Sequence, residues 1–377
     1  MKLSDIKTPA LVLDKAVLER NCAAMASRMA EHGVRLRPHL KTAKSAQVAE
    51  IATRGQFGGI TVSTLAEARY FGARGLRDIT YAVGIVPGKL DEVAALQRDG
   101  LRLTLLTDNR DAIEAVAVRA RELDTDLALL IEIDTGGLRG GVAPESADLI
   151  ALGRAIEAAE RLSLAGVLTH AGRSYHCRSV EEVRAVAEAE RRGITAAAER
   201  LRAAGLPCDV VSAGSTPTAV HAASLAGVTE MRPGVYTFFD LDQVGIGACA
   251  MADIALTVVA SVIGHNPRAR RVLIDAGALA LSKDISAGEF MAHAGYGLVC
   301  KATDTVPLDG LYVAEVHQEH GLIAAATGEP PYDRFPIGSR VRILPNHACI
   351  TAAAHDAYHV VEGGERVIDT WDRVNGW

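Results

Sequence analysis

Lys41 follows the alternating run Val34-Arg35-Leu36-Arg37, inside the segment Arg37-Pro38-His39-Leu40-Lys41-Thr42, and a helical pattern begins near Ser45. Alternating apolar and polar residues mark a strand, so the lysine stands where a strand ends and a loop begins. In a parallel α/β barrel that end is the mouth, where chemistry is done. An amine placed there can lose its proton, attack a carbonyl and hold a cofactor as a Schiff base. A solvated lysine is the plain alternative, but other polar groups fall at matching strand ends. They are the loop Asp134-Thr135-Gly136-Gly137-Leu138-Arg139-Gly140-Gly141, His170, the turn Gly214-Ser215-Thr216, and Arg232-Pro233-Gly234. The turn precedes a helical stretch at 219–225. Backbone N–H groups and hydroxyls at a helix start suit a phosphate, or serve as an ordinary cap. The glycines around Arg139 let a ligand approach the backbone, and its guanidinium offers a fork for an anionic oxygen. A flexible surface loop is the bland reading of that segment.

A second stretch with chemical potential is Pro345-Asn346-His347-Ala348-Cys349-Ile350. In a strand, residues two apart face the same side, so His347 and Cys349 can present an imidazole and a thiolate to one ion. Zinc favours that pair of donors. Two ligands are too few for a closed structural site, whereas a metal that binds substrate needs open positions. The alternative is a buried cysteine beside a hydrogen-bonded histidine. His355 and Asp356 come next, either orienting the site or lying in a solvated turn.

The elements that must position these groups follow from periodicity. Strands are expected at 34–41, 59–63, 78–83, 101–107, 126–134, 164–170, 208–213 and 229–237. Helical patterns at 65–73, 89–98, 110–122, 145–161 and 180–204 separate them. Strands alternating with helices imply βαβ units and a parallel sheet, and about eight of them imply a (β/α)8 TIM-type barrel. No GxGxxG follows the first barrel strand, against a dinucleotide site. A short strand at 10–14 and a helix at 15–31 precede this series. Past Gln243 the pattern turns to strands at 255–263, 271–275, 311–316, 340–344 and 359–362 with almost no helix. Two domains are expected, a barrel at 1–242, its first strand free to pair with the β-domain, and a C-terminal β-domain at 243–377.

The 377 residues are 49% hydrophobic but only 4% aromatic, so the core is aliphatic. The formal charge is −6 with no basic stripe, which argues against nucleic acid. No apolar run is long enough to span a membrane, and Met1-Lys2-Leu3-Ser4-Asp5 lacks a signal peptide's apolar core. The cysteines lack CxxC spacing, which points to free thiols in a reducing cytosol.

Arg-Pro-His-x-Lys-Thr, Asp-x-Gly-x-x-Arg-x-Gly, Gly-Ser-Thr and Arg-Pro-Gly-x-Tyr together resemble the fold-type III pyridoxal phosphate enzymes, the alanine racemase-like group. The resemblance extends over nearly the whole chain and is strongest to the D-serine dehydratase and D-threonine aldolase branch. It implies Lys41 as the Schiff-base lysine and acceptor of the Cα proton. It implies Arg139 at the cofactor's phenolic oxygen, His170 on the pyridine face and Arg232 at the pyridine nitrogen. Ser215, Thr216, Gly234 and Tyr236 would hold the phosphate, and Tyr175 would lie near the substrate. His347 and Cys349 match the His-x-Cys zinc pair of D-serine dehydratases, where the aldolases more often show His-x-Asp. Manganese or magnesium are the alternative ions. Where the family segment often reads Lys-Thr-His-Lys, this chain has Lys41-Thr42-Ala43-Lys44, which puts the substrate in doubt. Gln318-Glu319-His320-Gly321 also resembles a family segment, without an assignable role.

The resulting expectation is a cytoplasmic, homodimeric, pyridoxal phosphate-dependent and metal-assisted lyase. It would dehydrate D-serine or D-threonine to a 2-oxo acid and ammonia. D-threonine aldolase chemistry, giving glycine and an aldehyde, is the alternative. An amino-acid racemase or a non-catalytic pyridoxal phosphate carrier stands further off.

Overall fold

Short aliphatic strands and amphipathic helices alternate from Arg35 onward, and the strands assemble as one parallel sheet. The computed structural model describes residues 1–377 apart from Leu138. The strands are Arg35–Leu36, Ile60–Val62, Asp78–Gly84, Arg102–Thr107, Leu127–Ile133, Leu162–Thr169, Val210–Ala213 and Glu230–Met231. From the second onward each pairs in parallel with the next, and the first pairs with the last. A parallel bridge between His39 and Thr61 closes the ring, with Leu40 N–H donating to Thr61 O and Thr61 N–H to Pro38 O, both at 2.9 Å. The expected (β/α)8 barrel is therefore present.

Leu106, Leu130 and Leu168 form a buried apolar cluster on three successive strands. Glu132 and His170 stand two residues beyond the latter two leucines, on the same faces. These three strands are thus apolar in their middle, with polar residues at the mouth end of two of them, which leaves the polar ends to bind and react.

The second sheet is antiparallel save for one pairing, and it too contains a ring. Leu256–Asn266, Arg271–Ile274, Gly321–Ala325, Pro307–Val316, Leu298–Lys301 and Arg340–Leu344 pair in that order, and the last returns to the first. The closure works because Leu256–Asn266 is 11 residues long. Its residues 258–261 face 340–343, and 262–266 face 271–274. Ala10–Asp14 extends the sheet, antiparallel to Leu256–Asn266 and parallel to Ala357–Val361, which in turn pairs with Val367–Asp372.

By contacts the chain divides into Met1–Ala23 with Val235–Arg373, and Ala24–Gly234 with Val374–Trp377. The division falls at 234/235, not at 242/243, because the chain beyond Gly234 already bonds to the β-domain. Leu241 N–H donates to Pro345 O at 3.1 Å. Two expected barrel strands are cut short by proline, which has no N–H for the ladder. Pro38 follows Arg35–Leu36, and Pro233 follows Glu230–Met231. Tyr236 accordingly lies in a 3-10 turn, Val235–Thr237, rather than on a strand.

Candidate active site

Lys41 occupies the turn after the first barrel strand, exposed, and its backbone N–H donates to His39 Nδ1 at 3.5 Å. Among the described residues its amine makes no ion pair. Lys44, three positions on, differs sharply. Its Nζ lies 3.0 Å from Oε1 of the fully buried Glu67, and an amine held by a buried carboxylate is not available as a nucleophile.

The cations at the mouth converge. Burial pushes the His39 imidazole well below its ordinary pKa, and the charges of Lys41, Arg232, His170 and Arg139 add to the effect. Burial likewise pushes His170 down to about 3, with Lys41, Arg139 and Arg232 again contributing. Both rings are neutral at physiological pH. His170 Nδ1 is 3.4 Å from Gly214 O, and its ring lies 6.0 Å from that of Tyr175. Arg139 is exposed, 3.8 Å from Glu132 Oε1. Leu138, beside it, lies outside the described residues.

Arg232 is buried and tightly held. It donates from Nη1 to Ser212 Oγ and from Nη2 to Thr169 O, both at 2.6 Å. Burial lowers its pKa to about 10, against the pull of Glu230 and Glu190, so it remains a cation. Ser212 Oγ also donates to Glu230 Oε1 at 2.6 Å, and Arg37 Nε donates to Glu230 Oε2 at 2.8 Å. A chain of hydrogen bonds therefore runs from Arg37 through the barrel interior to Arg232.

Ser215 caps the helix Thr216–His221 in a capping box with Thr218. Its hydroxyl is 2.8 Å from Ser174 Oγ, and Thr216 is fully buried. Gly214 adopts φ +110, a backbone that glycine alone takes without strain. Glu190 ties this turn to the His170 loop: its Oε1 accepts from Gly214 N–H at 3.0 Å and Ala171 N–H at 2.9 Å. A Cβ at Gly234 would lie 2.8 Å from His39 O and 3.3 Å from Thr42 Oγ1, so only glycine lets this segment close on the loop bearing Lys41. A free amine, fixed cations, a neutral ring and a hydroxyl-lined turn are the groups that an anionic aldehyde cofactor calls for. The residues present fit pyridoxal phosphate. Tyr236 belongs to the other unit, where burial raises its pKa and keeps the phenol protonated.

His347 and Cys349 come together by a route other than the expected strand. The strand Arg340–Leu344 has already ended, His347 is the N-cap of a short helix, Ala348–Ala352, and Cys349 lies in its first turn. The two side chains are hydrogen-bonded. His347 Nδ1 lies 3.0 Å from Asp284 Oδ2. Burial opposes charge on this ring, but the bonds to Asp284 and Cys349 and the nearby Asp240 push its pKa up to about 11. Asp284 is correspondingly held below the usual carboxylate range by His347. Carboxylate support at the second ring nitrogen is the usual arrangement of a metal-ligating histidine, so the donor set fits a borderline divalent ion. His355 is engaged elsewhere, with Nε2 3.1 Å from Ala280 O.

Sequence reasoning missed Asp284, Glu190, Glu132 and Glu230. None lies in a motif, and each meets its partner only through the tertiary fold.

Residues 13–242 match the family model described as alanine racemase, N-terminal domain, and residues 255–361 match that described as putative serine dehydratase domain. The chain belongs to the fold-type III pyridoxal phosphate enzymes, in the family of the D-serine dehydratases and D-threonine aldolases. Among its relatives, the D-threo-3-hydroxyaspartate dehydratase of Delftia sp. (strain HT23) is 46% identical over 100% of this chain and 99% of its own. The D-serine dehydratase of Dictyostelium discoideum is 30% identical over 100% of this chain and 98% of its own. A solved structure of a D-threo-3-hydroxyaspartate dehydratase, a cysteine-to-alanine variant in the metal-free form, matches with a TM-score of 0.95 at 45% identity, covering 100% of both chains.

Proposed function

We propose that this chain removes water from D-3-hydroxy amino acids, with pyridoxal phosphate in the barrel and a divalent metal at His347 and Cys349, to give a 2-oxo acid and ammonia. The observation that carries the reading is the His347–Cys349 pair with Asp284 behind the imidazole, for which a racemase or a carrier has no use. Pyridoxal phosphate, when bound, supplies the electron sink that acidifies the substrate's Cα–H. A divalent cation, when bound, supplies the Lewis acid that the poor hydroxide leaving group needs.

The chain's own residues do the rest. The Lys41 amine takes the Cα proton, unencumbered by the ion pair that occupies Lys44. The Arg232 guanidinium, fixed by Ser212 and Thr169, would face the pyridine nitrogen as a donor that keeps its own proton. His170, neutral, would offer its ring to the pyridine face without competing for charge. Ser215 and Thr216 would hold the phosphate and Arg139 the phenolic oxygen, with Gly234 completing the cofactor site and Tyr175 near the substrate. Asp284 aims the His347 ring. Zinc is the proposed ion, with manganese and magnesium as alternatives. Cytoplasmic location and a homodimer complete the reading, supported by the lack of disulfides among the described residues and the family's habit.

The candidate substrates are D-serine and D-threonine, together with D-threo-3-hydroxyaspartate, for which the 46% identical relative is named. The test is product analysis with each, before and after chelation. Chelation is expected to remove activity while leaving the yellow cofactor bound, and zinc to restore it. D-threonine should then yield 2-oxobutyrate and ammonia. Glycine and acetaldehyde as main products would replace this reading with the aldolase. Full activity after exhaustive chelation, with no metal detected, would remove the metal role.

A further inference from the structure

We propose that Asp240 is the positioning residue of the metal-binding segment, a single buried carboxylate that fixes the backbone between His347 and Cys349. The inference rests on the metal reading of that pair. Asp240 is 1% exposed. Its Oδ1 accepts from Gln243 N–H at 3.0 Å and so caps the helix Leu241–Ile246. Its Oδ2 accepts from Ala348 N–H at 2.9 Å. Ala348 is the residue between the two ligands and the first residue of their helix, whose N-cap, His347, makes no side-chain cap.

A helix start leaves orphan N–H groups that a side chain normally satisfies. At this helix the acceptor is imported from a distant part of the chain, which frees the N-cap imidazole for other work. The clasp is reciprocal. Leu241 N–H donates to Pro345 O at 3.1 Å, and Asp242 N–H to Asn346 O at 3.2 Å. The Asn346 side-chain amide adds a bond to Gly295 O at 2.9 Å. Two ligands one residue apart share an ion only while the peptide between them is held in one conformation. Asp240 holds that peptide at its N–H, as Asp284 holds the His347 ring.

Asparagine at 240 keeps one acceptor oxygen and turns an amide N–H toward the other donor, so one arm of the clasp is lost with little change of volume. The experiment uses the pyridoxal phosphate-loaded enzyme, stripped of metal and titrated with zinc against a chromophoric chelator. Asp240→Asn should weaken zinc binding about 10–100-fold, as loss of an outer-shell partner does, while cofactor content and the visible absorbance band stay as in wild type. In the metal-free protein the Ala348 amide should exchange with solvent faster. A folded Asp240→Asn with wild-type zinc affinity would overturn the proposal. Should that variant not fold, Asp240→Ser decides, since its single hydroxyl can cap the helix Leu241–Ile246 but cannot hold Ala348 N–H as well: a several-fold loss of zinc affinity supports the clasp, and wild-type affinity overturns it. Cys349→Ala separates this inference from the reading beneath it. Loss of zinc there leaves the metal site standing whatever Asp240 does, and wild-type zinc binding there would bring down both.

Discussion

At the scale of the residue, the two lysines at the barrel mouth are separated by their partners rather than by their position. Lys44 is committed to buried Glu67, whereas the Lys41 amine makes no ion pair among the described residues. Borohydride reduction of the yellow enzyme should therefore tie the cofactor to Lys41, read by peptide mass spectrometry. Lys41→Ala should lose turnover by several orders of magnitude; label found on Lys44 would reverse the assignment. The double change Ser215→Ala with Thr216→Ala should loosen the cofactor by about 1.5–3 kcal/mol for each charge-assisted bond lost. Equilibrium binding of pyridoxal phosphate measures this, and unchanged affinity would place the phosphate elsewhere. The motif residues were legible in the sequence because their types are rare at strand ends and their spacing is short. Asp284 and Glu190 were not. A carboxylate 63 positions from the imidazole it orients leaves no local signature.

At the scale of the element, the long helix Val180–Ala203 does more than cover the sheet. From its middle, Glu190 reaches in to hold the His170 loop and the Gly214 turn with one oxygen. Glu190→Ala leaves two buried N–H groups without that acceptor, each costing about 1–3 kcal/mol. Urea denaturation should show the loss, and pyridoxal phosphate should be retained less well. Equal stability and equal retention would mean the loops are held by other contacts. All eight barrel strands could be located from alternation and aliphatic runs, and the helix at Arg110–Glu122 to the residue. Leu298–Lys301, Gly321–Ala325 and Val367–Asp372 went unseen. They are short or mixed in pattern, and their neighbours in the sheet decide their conformation. The reading of His347 and Cys349 as strand neighbours failed for a related reason. Pro345 and Asn346 end the strand, and the two side chains are brought together by a helical turn.

At the scale of the whole molecule, the order of the chain and the order of the sheet disagree. Ala10–Asp14 lies between Leu256–Asn266 and Ala357–Val361, so its residues hold together strands that are encoded near the other end. Leu3, Ile6, Ala10 and Val12 share a buried cluster with Val259, Val361 and Val367. Deleting residues 1–14 should therefore leave two unpaired strand edges and an opened core, and unpaired edges aggregate. The expected outcome is insoluble protein, scored by the soluble fraction on expression; a soluble, cooperatively unfolding truncation would show that the remaining strands suffice. The same arrangement bears on synthesis. At roughly 5–20 residues per second, the ribosome makes the strand Ala10–Asp14 roughly ten to fifty seconds before Leu256–Asn266, the earlier of its two neighbours, exists, and Ala357–Val361 comes later still. For that interval the barrel can close behind it while the apolar strand waits without a neighbour. The newborn chain is then a natural client for a chaperone that shields one short hydrophobic segment until translation ends.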